Sequence, residues 1–156
     1  MKVLVECYHD TAVVRSLGVP IRQVGHEHGK GNVLRLLGKC DGEALGVVDA
    51  DPGKQDSNPG AMAEYQQRDS AHGLTLMRYR ADPLKSLVVI GPTLEDWFLA
   101  RAGTCKFQLH NYGLPESAHA MHKSPRYDLK PGFHRLLADL AATDVGMKTL
   151  KTWLGV

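Results

Sequence analysis

Short apolar runs that end on acids constrain this chain more than any other feature. Lys2-Val3-Leu4-Val5 runs into Glu6, and Ala44-Leu45-Gly46-Val47-Val48 runs into Asp49-Ala50-Asp51. Runs this short and continuous read as buried strands of a sheet whose faces are covered. Acids placed where such strands leave the core collect charge from distant sequence at one rim, the edge where α/β sheets bind ligands. In extended chain Asp49 and Asp51 would point the same way and Ala50 the other, which suits shared ligation of one hard divalent cation.

Between these runs the spacing turns helical. Asp10 to Leu17 predicts a short helix with Asp10 as its N-terminal cap and Gly18 closing it. Pro20 to Val24 predicts a second strand. The loop Gly29-Lys30-Gly31-Asn32 then leads into a helix through Val33, Leu34, Leu36 and Leu37, with Gly38 near its end. Strand, helix, strand, helix, strand through Val48 is an α/β unit with a mainly parallel sheet and crossover helices over its faces.

Turn formers from Pro52 to Gly60 predict an exposed loop beside the acids. A short helix over Ala61 to Arg68 and strands over Leu74 to Tyr79 and Ser86 to Ile90 follow. A helix over Thr93 to Ala100, starting near Pro92 or Thr93, brings Glu95 and Asp96 to another strand end. Gly103 to Arg126 is irregular and rich in His, Pro and Gly, whereas Lys130 to Ala142 regains helical spacing through Phe133, Leu136, Leu137 and Leu140. The chain therefore divides into an α/β core over 1–102 and a remainder over 103–156, an irregular segment and C-terminal helices packed on that core.

Composition narrows the setting. A chain of 156 residues with 43% hydrophobic and 23% charged residues is an ordinary globular domain, long enough to bury a real core. No apolar run approaches the ~20 residues of a membrane span, and the N-terminus lacks the pattern of a secretory leader. Cys7, Cys40 and Cys105 are odd in number and lack CxxC spacing, which argues against a disulfide framework and a structural zinc site. The expected setting is the cytoplasm, with reduced thiols and no membrane partner. A net charge of +2 is compatible with nucleic-acid binding without announcing it.

Together, Val3-Leu4-Val5-Glu6-Cys7-Tyr8-His9-Asp10, the Gly29-Lys30-Gly31-Asn32 loop and Gly46-Val47-Val48-Asp49-Ala50-Asp51 resemble the Toprim domain. That domain is shared by topoisomerases, bacterial primases, recombination-repair proteins and the overcoming-lysogenization-defect nucleases. The resemblance covers roughly the first hundred residues. It implies a three-layer α/β sandwich, with a mainly parallel central sheet and helices on both faces. Glu6 resembles the family glutamate after the first strand, and Asp49 and Asp51 its Asp-x-Asp pair. Asp10 sits where many members have an acid beginning the first helix, and Gly31 resembles the glycine of the intermediate loop. Leu94-Glu95-Asp96-Trp97 is similar to a feature of small stand-alone members in which a later acid, here Glu95, joins the site. Cys7 departs from the pattern, because the family commonly has Gly after the glutamate, and a side chain there narrows the approach to substrate.

Carboxylates and water suit Mg²⁺ or Mn²⁺, which leave coordination positions for phosphate and activate attacking water. The resemblance implies Asp49 and Asp51 as primary metal ligands, Glu6 as ligand or general acid/base, and Glu95 as ligand of a second ion. His122-Lys123-Ser124-Pro125-Arg126 offers cations in an irregular segment, and Lys123 resembles the lysine that neutralises the transition state in some Toprim nucleases. No tyrosine is placed as a covalent nucleophile, so hydrolysis of DNA or RNA is expected, in defence or nucleic-acid processing. The alternative is a non-catalytic module that binds nucleic acid, a protein partner or a second copy of the chain. Taken singly, Asp10, Glu95 and Asp96 also read as helix caps or turn residues. The Gly-Lys-Gly loop lacks the spacing of a Walker motif, and the eight histidines match no zinc frame.

Overall fold

The computed structural model describes residues 1–52 and 59–156. Its centre is a six-stranded mixed sheet in the order β2-β1-β3-β6-β5-β4, formed by β1 (Lys2–Val5), β2 (Val24–His26), β3 (Ala44–Asp49), β4 (Tyr65–Ala71), β5 (Leu74–Tyr79) and β6 (Lys85–Ile90). The pairs β1·β2, β1·β3 and β3·β6 are parallel, and β5·β6 and β4·β5 are antiparallel. An α/β fold with a mostly parallel sheet is thus what the apolar runs build.

Alternation along the strands divides the buried side chains between two clusters. Val3, Val5, Leu45, Val47, Val88 and Ile90 join one cluster with α1 (Tyr8–Ser16), α4 (Leu94–Thr104), α6 (Pro131–Thr143) and α7 (Val145–Trp153). Leu4, Ala44, Val48 and Leu87 join the other with Val33, Leu34 and Leu37 of α2 (Lys30–Leu37) and with Tyr65. Residues i and i+2 of a strand share a face, so helices must cover both sides of runs this apolar.

Several expected elements shift, each for a local reason. Cys7, not Asp10, is the N-cap of α1; Asp10 lies at N3, and its Oδ2 accepts the Cys7 backbone N–H at 3.0 Å, the return half of a capping box. The expected strand from Pro20 begins only at Val24, because Ile21–Gln23 closes a 3₁₀ turn and Val24 is the first residue registered against β1, opposite Val3. Lys30 already belongs to α2, with Gly29 as its N-cap at φ 123°. The expected helix over Ala61 to Arg68 is overturned: α3 (Pro59–Ala63) is a short helix, and Tyr65 starts β4. β4 is the outermost strand, mostly polar and exposed, so its pairing with β5 forms it rather than any apolar alternation. His72 and Gly73 make the two-residue turn between them, both at positive φ as a type I′ hairpin requires. Within the stretch read as irregular, Ala118–Lys123 forms α5. Of the expected loop from Pro52 to Gly60, residues 53–58 lie outside the described residues.

α4 starts immediately beyond the end of β6. Thr93 caps it: its Oγ1 accepts the Asp96 backbone N–H at 3.2 Å and donates to Asp96 Oδ2 at 2.8 Å. Thr93→Ala is expected to cost about 1 kcal/mol, read as a lower urea midpoint at unchanged slope. An unchanged midpoint would mean that this cap contributes nothing.

Candidate acidic site at the sheet edge

The parallel strands β1, β3 and β6 end at one edge, and the helices that follow two of them begin there. Glu6, immediately after β1, reaches across to β3, where its Oε1 accepts the Asp49 backbone N–H at 2.9 Å. Asp49 ends β3, and its Oδ2 accepts the backbone N–H of Leu94, the first residue of α4, at 3.1 Å. Asp10 is buried under the first turn of α1. Glu95 is buried in the first turn of α4, and its Oε1 accepts the Tyr127 hydroxyl at 3.0 Å and lies 3.7 Å from His122 Nδ1.

Asp51 departs from the extended geometry that the sequence suggests. Its φ is +47°, so the backbone turns into the left-handed region one residue past Ala50 instead of continuing extended, while the Asp51 charge still acts on Asp49. Backbone bonds set this turn: Ala50 N–H donates to Ile90 O at 2.7 Å and Asp51 N–H to Pro92 O at 2.9 Å. Lys30 Nζ donates to the intervening Ala50 carbonyl at 3.1 Å, which brings a cation to the same segment.

The acids share one electrostatic environment. Burial pushes the Asp49 carboxyl up to about 8, and the charges of Asp10, Glu6 and Asp51 push the same way; the Leu94 N–H opposes them and loses. Burial likewise raises Asp10 to about 7, with Glu6 and Glu95 adding to it against the bond from Cys7. Asp10 Oδ1 and Asp49 Oδ1 are buried and have no hydrogen-bond partner among the described residues. Buried carboxylates that repel one another, with orphaned oxygens, are short of positive charge. Among the described residues no three His, Cys, Asp or Glu side chains form a ready-made metal group.

A second layer stands behind these acids. The His9 ring stacks on Tyr127 with centroids 3.7 Å apart, and its Nε2 lies 3.5 Å from Asp128 Oδ1. Burial lowers the His9 pKa against the opposing pull of Asp128 and Glu95. Arg126 holds Asp128 through two bonds of 2.9 Å, from Nε to Oδ1 and from its guanidinium to Oδ2. The Cys7 thiol is pushed up by burial and by Asp10, so it stays protonated, with its Sγ 3.6 Å from His9 Nδ1.

No family model, no curated protein and no solved structure matches the chain. The site therefore rests on its own geometry.

The structure places Glu6, Asp49 and Glu95 near one edge of the sheet, and Asp10, expected as the acid that begins the first helix, is buried within reach of their charges. Lys123 ends α5 and is exposed; the neighbours that meet the acids are His122, against Glu95, and Arg126, against Asp128. His9, Tyr127 and Asp128 were not legible as site residues. Only Asp128, an acid beside the cations of 122–126, carried a hint.

Proposed function

We propose that the chain is a divalent-metal-dependent phosphodiester hydrolase of Toprim type, acting on nucleic acid and built as a three-layer sandwich. The observation that carries this reading is the shared edge of Glu6, Asp10, Asp49 and Glu95, with buried, unpartnered oxygens on Asp10 and Asp49. The parallel order β2-β1-β3-β6 supports it, as do the buried clusters on alternate strand positions. All the donors are carboxylate oxygens, the type that suits Mg²⁺ or Mn²⁺. Mg²⁺ keeps several waters and needs only one or two carboxylates besides substrate phosphate, so a preformed cage of protein ligands is not required.

In this reading Asp49 and Asp51 would hold the first ion, and Glu95 would hold a second. A bound ion would supply charge for the phosphodiester and a more acidic water. Glu6, braced by the Asp49 N–H, would orient an attacking water and take its proton. Asp10 adds negative charge to the site, and Lys123 offers an exposed ammonium to the phosphate. Tyr127 holds Glu95 in place through its hydroxyl.

Incubation of the purified protein with single- and double-stranded DNA and RNA, with Mg²⁺ or Mn²⁺, tests the reading. Cleavage that requires the metal and is lost in Asp49→Ala is expected. Cleavage unchanged by that substitution would refute the site, and no cleavage of any substrate would leave the non-catalytic binding module as the better account.

A further inference from the structure

Tyr8, His26, His28 and Arg126 form a cluster of rings and one guanidinium beside the acids, and apart from the bond of Arg126 to Asp128 the acidic site makes no use of it. The Tyr8 ring meets His26 edge-on with centroids 4.2 Å apart, and the His26 and His28 rings lie 4.1 Å apart. The Arg126 guanidinium lies 4.0 Å over the Tyr8 ring. Tyr8 is 45% exposed and the Arg126 side chain 46% exposed, so both remain open to solvent. The guanidinium carbon lies over the Tyr8 ring and two bonds to Asp128 hold the group, while nearly half of the Arg126 side chain stays open to solvent.

We infer that this cluster is a stacking platform for an unpaired base, and that the substrate class of the acidic site is single-stranded nucleic acid. The inference rests on the nuclease reading for the location of the scissile phosphate. The platform is tied to the acids at both ends. Tyr8 follows Glu6 by two residues, which holds their Cα atoms within about 7 Å. From Arg126 the connection runs through Asp128 to His9, stacked on Tyr127, whose hydroxyl bonds Glu95. A base laid on the outer guanidinium face extends the Tyr8–Arg126 stack and leaves its phosphate to the acidic edge.

The chemistry selects single strands. In a duplex the faces of the bases are covered by their neighbours, whereas an unpaired base offers its π-face to aromatic rings and to arginine planes. Arg126 is neutralised by Asp128, so the cluster attracts bases more than it attracts phosphates, and it sits beside acids that repel phosphates unless a cation is present. Sequence preference is not expected, because stacking is available to every base.

Binding of a fluorescein-labelled mixed-sequence single strand, an abasic strand of equal length and a blunt duplex, followed by anisotropy in EDTA and again with Ca²⁺, tests the inference. The base-bearing strand is expected to bind roughly tenfold tighter than the abasic strand and the duplex, under at least one condition. Tyr8→Leu should remove that preference, and Tyr8→Phe should retain it. Equal binding of base-bearing and abasic strands under both conditions would overturn the platform, as would a preference that survives in folded Tyr8→Leu. Since no cleavage is measured, a preserved base preference in a protein that cleaves nothing refutes the nuclease reading and leaves the platform standing. Cleavage without base preference does the reverse.

Discussion

At pH 8, Asp49→Asn is expected to melt at a higher temperature than the parent protein. The sign follows from the direction of the shift. The unfolded carboxyl loses its proton near 4, whereas in the fold burial and the neighbouring acids hold it to about 8, with Asp10 at about 7. Between those values the native state binds more protons than the unfolded state, so stability is full below about 4 and declines as pH rises through about 8. The slope is at most ~1.4 kcal/mol per pH unit for each such group, and the two acids titrate as a pair. Asparagine keeps an oxygen for the Leu94 N–H and removes the charge, so its advantage over the parent grows from pH 5 to pH 8 and levels off above. Asp128, whose carboxyl Arg126 holds below the usual range, works in the opposite sense at low pH, but equally in both proteins. Thermal melts across pH read the difference; parallel profiles for the two proteins would refute the cluster electrostatics. Added Mg²⁺ should raise the parent's melting temperature at pH 8 far more than at pH 5, because protons compete for the same oxygens, and should do little for Asp49→Asn.

Gly132→Ala should be among the most damaging single-methyl changes in the chain. Gly132 sits in the first turn of α6, and a Cβ there would fall within the backbone carbonyl of Tyr112. A backbone obstacle cannot rotate away as a side chain can, so α6 must shift. Phe133 is the next residue, fully buried and packed edge-on against both Tyr127 and Phe98. The shift is therefore transmitted to the tyrosine that holds Glu95. A cost of about 3 kcal/mol is expected, equivalent to a fall of roughly 6–12 °C in melting temperature for a domain of this size. Gly103→Ala in α4 is the control, since nothing lies within 4 Å of its Cβ and helix propensity alone predicts a small gain. Equal effects at the two positions would contradict the packing described for α6.

Legibility differed from element to element for physical reasons. β1, β3 and β6 were readable because strands buried on both faces are continuously apolar. β4 was not, since its exposed residues carry no alternation and the strand exists through its hairpin partner. Asp10 was readable as a residue of the first helix turn, but its burial within reach of the charges of Glu6 and Asp49 depends on where α1 packs. The turn at Asp51 was not readable because its backbone N–H bonds the carbonyl of Pro92, which is distant in sequence.

The sequence by itself determined the α/β class and the strand ends on which Glu6, Asp49 and Glu95 fall, because hydrophobic periodicity and capping are local properties of the chain. Tertiary structure alone decided which of these acids share one electrostatic environment, that Asp51 leaves the extended pairing, and that residues 126–128 pack against Tyr8 and His9 from 118 or more positions away. Contacts of that range depend on the path of the folded backbone, and burial, which sets the charge state of the acids, exists only once the chain has closed around them.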